Sequence, residues 1–562
     1  MREADAGEVA ALGRTLSIDP LVARILLNRG ISDPVAAGRF VNPLLSGMRD
    51  PFLLLGMEQA VERLCRALAD GERVCIFGDY DVDGVTATAL LTEAFRDFGF
   101  DCFYHIPNRM EDGYGLSADG LRAVAGRGAA VVVSVDCGIT ACDEALLCAE
   151  LGVDLIITDH HTPGKAIPAA RAVINPLQPG CTFPFKQPAG VGLAFYLLVA
   201  LRSRLRQYGR FDRTPEPDLK RGLQYVALGT IADIVPLVDD NRLFVTYGLR
   251  ELTGSRHCGI DALKRVSGIA GEVSSGDVGF RLAPRLNAAG RLDDATRAVE
   301  LLLSRERDQA LLLAAELDAG NAERQAIERD ILADAQQRAE AIPPETARRS
   351  IVLASEEWHA GVIGIVASRL VERFHLPTVL IALRDGDGKG SARSIPRFDL
   401  YDALCACAPT LRKFGGHRYA AGVALEGNAV DEFARQFERV AADRLEADDL
   451  IPELLIDAEL FPDDLTPDVA DLLLQLGPYG AGNPEPTLLV RDLRIADKRV
   501  LKEKHLKMVL VSGTRRVDAI GFDMADRIPQ ADRIDCVCTL QMNEWNGRRS
   551  LQLRLRDFNE VD

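Results

Sequence analysis

Val74-Cys75-Ile76-Phe77-Gly78-Asp79-Tyr80-Asp81-Val82-Asp83-Gly84 decides how the rest of the chain is read. The apolar run 74–77 suits a strand buried on both faces, and the pattern over 86–98 is helical. Between them stand three aspartates at alternate positions, which extended backbone would put on one side before Gly84 opens the helix. An aspartate at such a place can cap the helix. Capping accounts for one of the three, and the others repel it unless cations neutralise the group. D-x-D-x-D-G is also how an EF-hand loop begins. That loop needs a glutamate at its twelfth position, where this chain has Leu90, and a preceding helix, where this chain has a strand.

Outward from this stretch the same unit recurs. The run 131–135 is a second buried strand, and it ends in Asp136-Cys137-Gly138. The run 155–157 is a third, leading into Thr158-Asp159-His160-His161, with a helix over 143–151 between them. Short apolar strands alternating with helices predict an α/β fold with a parallel sheet covered on both faces. Each strand delivers ligand-type residues at its carboxyl end, where open parallel sheets build their sites. Farther on, Asp233 in Gly229-Thr230-Ile231-Ala232-Asp233-Ile234-Val235-Pro236 is the only charged residue between Arg221 and Asp239. Alone it would be a capping residue; beside the other groups a metal role fits it better. Carboxylates with imidazole suit Mg²⁺ or Mn²⁺ rather than a thiolate-seeking metal, and the histidine favours Mn²⁺. Two such ions ~3.5–4 Å apart can activate water and stabilise a leaving oxygen in phosphodiester hydrolysis, with Asp136 a natural bridging ligand.

The flanks imply further domains, as a length of 562 residues requires. Residues 1–50 form an N-terminal helical segment, with Asp33-Pro34 restarting a helix. Residues 51–297 hold the catalytic α/β domain. A proline-free, charged stretch follows as one long connecting helix or a pair of helices, placed at 298–345. Strands at 351–353 and 378–381 start a second, smaller α/β unit over 346–445, and alternating segments over 446–562 make a β-domain with an Asn546-Gly547 hairpin turn. Twelve scattered cysteines without a secretory signal read as reduced core residues. No apolar run is long enough to span a membrane, so a cytoplasmic, membrane-free address is expected. The net charge of −17 argues against nucleic-acid binding over the whole surface but leaves room for a local basic channel.

GDYDVDG, SVDCG, TDHH and GTIADIVPL resemble the ordered motifs of the DHH phosphoesterase superfamily. Ile106-Pro107-Asn108-Arg109, Gly113-Tyr114-Gly115 and Ala283-Pro284-Arg285-Leu286-Asn287-Ala288-Ala289-Gly290-Arg291 resemble its RecJ exonuclease branch. Phe414-Gly415-Gly416-His417, Ala420-Ala421-Gly422 and Gly390-Ser391-Ala392-Arg393-Ser394 are similar to the DHH-associated domain, and the terminal β-region is similar to an OB-fold. The resemblance implies a 5′→3′ exonuclease on single-stranded DNA that releases 5′-mononucleotides in repair and recombination. It implies Asp81, Asp83, Asp136, His160 and Asp233 as metal ligands, with Asp79 completing or supporting the cluster and His161 contacting the scissile phosphate or steadying the site. Arg109, Arg285, Ser391, Arg393 and His417 would hold or face DNA, the OB-fold adding affinity through aromatic and basic residues such as Phe522, Trp545, Arg515, Arg516, Arg548 and Arg549. A single-strand-binding protein and a helicase fit as partners. Ending at Asp562, the chain resembles the shorter type in that branch. Two rivals remain: a DHH enzyme for short oligonucleotides or cyclic dinucleotides, which the β-domain argues against, and a non-catalytic scaffold, which the intact ligand set argues against.

Overall fold

The computed structural model describes residues 4–107, 115–292, 294–341, 348–513, 515–545 and 548–561. β1 (Val74–Phe77), β2 (Cys102–His105), β3 (Val131–Val135), β4 (Asp154–Thr158) and β5 (Ala172–Ile174) form a parallel sheet in the order β2-β1-β3-β4-β5. β1 and β3 are buried along their whole length, as continuous apolar runs require when both faces are covered. Helices Ala118–Gly126 and Cys142–Glu150 pack over Cys75, Phe77, Val132, Leu155 and Ile157 on one face. Val82–Phe98, Gly190–Gln207 and Leu223–Ala232 bury most of their residues on the other side. The half-exposed edge strand β2 and the three-residue β5 carry too little apolar pattern to be expected from sequence.

The entry to the first helix departs from expectation. The helix opens at Val82 and not at Gly84. Asp81 is its N-cap, its Oδ1 accepting the amides of Asp83 (2.9 Å) and Gly84 (3.1 Å). The aspartates therefore do not share one side of an extended segment. The chain turns after β1, and Asp83 stands in the first helical turn.

The chain divides into two compact units: Met1–Ala283 with Ala298–Leu311 and Leu455–Asp562, and Pro284–Arg297 with Leu312–Leu454. The second unit holds a mixed sheet of β6 (Ile351–Ser355), β7 (Thr378–Arg384), β8 (Asp387–Arg393), β9 (Lys413–Gly416) and β10 (Ala420–Glu426), ordered β6-β7-β8-β10-β9. Val379, Ile381, Phe398, Phe433 and Phe437 fill its core. Two helices, Thr296–Leu303 and Arg307–Glu340, occupy the charged stretch. Trp358 is a packing residue, buried with its indole N–H on Asp334 Oδ2 at 2.8 Å.

In the first unit β11 (Ala458–Leu460), β12 (Leu488–Leu501), β13 (His505–Ser512), β14 (Arg515–Gly521), β15 (Arg533–Trp545) and β16 (Arg548–Val561) form a sheet ordered β11-β12-β13-β14-β16-β15. An additional β12–β15 pairing closes it, and β14–β16 is parallel, giving a five-stranded OB-type barrel. The Asn546-Gly547 turn lies outside the described residues. The N-terminal helices Ala6–Leu16 and Pro20–Asn28 bury Val9, Leu12, Val22, Ile25 and Leu26 in the same core as Leu488, Val490, Ile534 and Leu553. Arg29 seals this join with a forked pair to Asp457 (2.9 and 3.0 Å). All twelve cysteines are free thiols. Among the described residues no helix is long and apolar enough to cross a membrane.

Arg242, on helix Asp239–Gly254, ties three regions together. Its fully buried guanidinium donates to the carbonyls of Phe40 (2.8 Å), Leu476 (2.9 Å) and Gln475 (3.2 Å) and lies 3.9 Å from the Phe40 ring centre. Burial pushes its pKa down to about 10. Arg242→Ala leaves these carbonyls buried and unsatisfied, and we expect it to cost about 3 kcal/mol. A urea-unfolding midpoint unchanged from the parent would contradict this role.

Candidate metal centre

The strand ends and the turn after helix Leu223–Ala232 converge. His160 follows β4, and its Nε2 lies 3.1 Å from Asp136 Oδ1, 3.6 Å from Asp233 Oδ2 and 3.9 Å from Asp83 Oδ2. Donor atoms of Asp79, Asp81 and Asp136 lie within 4.8 Å of one another, as do those of Asp83, His160 and Asp233, and of Asp136, His160 and His161. Asp136 and His160 thus join neighbouring groups into one cluster. An oxygen-rich set with one or two imidazoles matches the donor chemistry of Mn²⁺ or Mg²⁺.

Local backbone makes this convergence possible. Asp136 leaves β3 in the left-handed region (φ 61°), a conformation aspartate tolerates better than most residues. Gly190 opens the helix that faces it, and a Cβ there would fall 2.6 Å from Asp136 Oδ1, so any side chain would push the Asp136 carboxylate aside. The amides of Gly190 and Val191 donate to the two Asp83 oxygens at 2.6 and 2.8 Å. This is a helix N-terminus holding a carboxylate. The sequence reading missed it; the signal available was the Ala189-Gly190-Val191-Gly192 run. It also gave no separate role to Asp159. That buried carboxylate accepts the Ile139 amide (2.9 Å) and the His161 amide (3.0 Å), and lies 2.7 Å from His161 Nδ1, fixing the ring. After Asp233, Ile234 is left-handed at φ 59°, an outlier for a β-branched residue that costs about 1–3 kcal/mol.

The electrostatics follow from crowding. Burial, then the charge of Asp81, pushes Asp83 up to about 7. Burial, then Asp83 and Asp81, pushes Asp233 up to about 9. Asp136 is raised well above the carboxylate range by burial and by Asp83, Asp81, Asp233 and Asp79. Burial opposes charge on His161, but its hydrogen bond to Asp159 and that residue's charge win and carry it up to about 9. Burial likewise opposes charge on Asp159, and His161 with the two amides holds it below its ordinary value.

The expected DNA contacts divide between the units. Arg109 lies outside the described residues. Ser391 and Arg393 stand on β8, in the second unit, near the first turn of helix Ile363–Phe374: a Cβ on Gly364 would lie 3.2 Å from Arg393 Nη2 and 3.4 Å from Ser391 Oγ. Arg393 donates to the Ala392 carbonyl (2.8 Å), and burial lowers its pKa; among the described residues no carboxylate pairs with it. Arg285 is engaged with Asp318 at 2.8 Å. His417 is exposed on the β9–β10 hairpin, its amide on the Ala420 carbonyl at 2.8 Å. On the barrel, Phe522 is 45% exposed, with the Arg554 guanidinium 5.4 Å from its centre and His505 edge-on at 5.2 Å, an arrangement able to stack a base. Arg515 and Arg549 bond to the Asp463 carbonyl and to Asp471, and Arg516 is exposed. The side chains of Trp545 and Arg548 lie outside the described set.

Three family models match the chain: the DHH family, N-terminal domain, over residues 73–230; the DHHA1 domain over 348–443; and the RecJ OB domain over 456–557. The single-stranded-DNA-specific exonuclease RecJ of Dickeya dadantii (strain 3937) is 41% identical over 554 residues, covering 96% of this chain and 95% of that one. The crystal structure of RecJ from Thermus thermophilus in complex with Mn²⁺ superposes with a TM-score of 0.85 at 32% identity, covering all of this chain and 79% of that one. The same protein in complex with Mg²⁺ gives 0.79 at 30% identity, covering all of this chain and 78% of that one.

The shifts have a sign that can be tested. Asp83 and Asp233 keep their protons from the ordinary 3.8 up to about 7 and about 9 in the folded chain, so the metal-free folded state binds more protons than the unfolded one across that window. His161 acts in the same direction, its stabilisation being lost as pH rises from 6.5 through about 9. Asp159 acts oppositely, but only in acid below its ordinary 3.8. The melting temperature in EDTA is therefore expected to fall between about pH 5 and about pH 9, and the increment on adding Mn²⁺ to grow over the same range. An increment that shrinks with rising pH would refute the coupling.

Proposed function

The chain belongs to the RecJ family of the DHH phosphoesterases, and we propose that it digests single-stranded DNA from the 5′ end, releasing 5′-mononucleotides by two-metal hydrolysis in DNA repair and recombination. It is a metal-dependent, single-stranded-DNA-specific exonuclease that uses Mn²⁺ or Mg²⁺. The observation that carries the reading is the meeting of Asp79, Asp81, Asp83, Asp136, His160 and Asp233 in one cluster. In this reading residues 51–297 are the catalytic domain, 298–345 connect it to the DHH-associated domain at 346–445, and 446–562 are the OB-fold, with 1–50 an N-terminal helical segment. A single-strand-binding protein and a helicase supply and hold loose strands in the cytoplasm.

Asp81, Asp83, Asp136, His160 and Asp233 hold the ions, with Asp79 supporting them. When bound, such ions acidify water and neutralise charge on the phosphate. The chain's own groups do the rest. The Asp159 carboxylate holds His161 as the imidazolium with Nδ1–H on Asp159, so that Nε2–H donates to a phosphate oxygen. Amides at the head of helix Gly190–Gln207 keep Asp83 from swinging away. Arg393, a planar donor fork with no carboxylate beside it among the described residues, takes a phosphate with Ser391; Arg109, Arg285 and His417 complete the contacts to DNA.

A long single strand labelled at its 3′ end and incubated with Mn²⁺ tests this. We expect a ladder of shortening labelled fragments, abolished by EDTA and by Asp136→Ala. Early release of labelled mononucleotide would reverse the polarity. Turnover of a dinucleotide alone would favour a small-substrate enzyme, and DNA binding without turnover a scaffold. Arg393→Ala is expected to raise KM about tenfold on 5′-phosphorylated strands and to erase their advantage over 5′-hydroxyl strands. Equal KM values for variant and parent would remove Arg393 from the DNA contacts.

A further inference from the structure

Asp233 differs from Asp81 and Asp83 in how it is held. Asp81 and Asp83 are each fixed by a pair of backbone amides. Among the described residues no hydrogen bond fixes the Asp233 carboxylate, and its surroundings act on it through burial and charge alone. Its position therefore comes from its backbone. That backbone is the last turn of helix Leu223–Ala232, where the Asp233 amide reaches the Gly229 carbonyl at 2.9 Å, followed by left-handed Ile234. Such a conformation persists only where the flanking chain is fixed from both sides.

The downstream side is fixed by the barrel region. The turn 477–483, Gly-Pro-Tyr-Gly-Ala-Gly-Asn, precedes β12 and lies against residues 236–238. The buried Leu237 donates its amide to the Ala481 carbonyl at 2.7 Å. Gly482 is left-handed (φ +67°) and packs so closely on Pro236 that a Cβ would fall 2.7 Å from the proline Cβ; at Gly480 a Cβ would fall 2.7 Å from Leu237 Cδ1. Ser275 Oγ donates to the Tyr479 carbonyl at 2.6 Å, so the turn also grips the segment leading to the π-helical turn Val278–Leu282. The turn is itself stiff. Asn483, buried, donates to the Leu476 and Pro478 carbonyls (2.8 and 2.9 Å) and accepts from Arg29 (2.6 Å), while Arg242 holds the Leu476 and Gln475 carbonyls.

We propose that the 477–483 turn is a positioning element for Asp233, so that the seating of the barrel on the catalytic α/β domain sets the metal affinity of the centre. The barrel then does more than hold DNA: loosening its turn releases Pro236 and Leu237, lets Ile234 relax, and withdraws the Asp233 carboxylate from His160 and Asp83. The role rests on Asp233 being a metal ligand.

Isothermal titration of Mn²⁺ into the full chain tests it, using Gly482→Ala, Ser275→Ala, Val517→Ala and Asp233→Asn. Gly482→Ala is expected to weaken Mn²⁺ binding about tenfold, as loss of support around a ligand does, with excess Mn²⁺ restoring kcat and with single-strand binding in EDTA unchanged. Ser275→Ala, which removes only one hydrogen bond onto the turn, shifts affinity the same way by less and decides the matter if Gly482→Ala does not fold. Val517→Ala loosens the barrel core on β14 while leaving the residues of the turn intact, and should lower the melting temperature while leaving Mn²⁺ affinity alone. Parental Mn²⁺ affinity in both turn variants, or an equal loss in Val517→Ala, would overturn the proposal. Parental affinity in Asp233→Asn would instead overturn the ligand assignment beneath it.

Discussion

Carboxylates crowded into a buried site repel one another, and the catalytic domain is organised around holding them there. Two like charges about 4 Å apart at an effective dielectric of about 20 oppose each other by about 4 kcal/mol. Carboxylate oxygens of Asp79, Asp81 and Asp136, and of Asp83 and Asp233, lie within 4.8 Å of one another. Part of the repulsion is met by fixed positive ends: amides on Asp81, Asp83 and Asp159, and the His161 imidazolium on Asp159. What remains can be met by protons, which Asp83 keeps up to about 7 and Asp233 up to about 9, or by divalent cations that displace them. That competition suits the site to hold metal ions instead of remaining a knot of neutral acids.

The backbone bears the cost of bringing the groups together. Parallel strands put β1, β3 and β4 side by side with their carboxyl ends at one edge, so residues distant in sequence become neighbours without long loops. The last few ångströms come from less comfortable geometry: left-handed Asp136, left-handed Ile234, and a glycine where a helix meets Asp136. Such features hold only within a rigid surround. The surround here extends beyond the α/β sheet to the barrel and to the N-terminal helices that share its core.

Much of this was legible in the sequence because the signals were local. Buried parallel strands write themselves as unbroken apolar runs, and ligand-type residues directly follow them, so β1, β3, β4 and Asp79, Asp81, Asp83, Asp136, His160 and His161 stood out. The helix start did not: Asp-x-Asp-x-Asp suits an extended segment as well as a cap, and only the folded chain shows Asp81 taking the cap. The amides of Gly190 and Val191 were also hidden, since backbone donors leave no mark on residue type and lie more than a hundred residues from the carboxylate they hold. The sharing of one core by the two ends of the chain was hidden for the same reason: amphipathic helices and alternating strands declare that they bury a face, not against what.

The acidic charge of the chain is reconciled with a polyanionic substrate by where cations are already spent. Arg285 shares its charge with Asp318, and Arg549 with Asp471, so each approaches a phosphate only by giving up a partner. Arg393 has no carboxylate beside it among the described residues and is partly desolvated, which favours exchange of its remaining water for a phosphate. The cluster around Asp136 concentrates carboxylates, and it is the place where divalent cations would reverse the sign. Net charge counts every residue equally. A phosphate meets only those left unpaired, and on that measure an acidic protein can present an electropositive path.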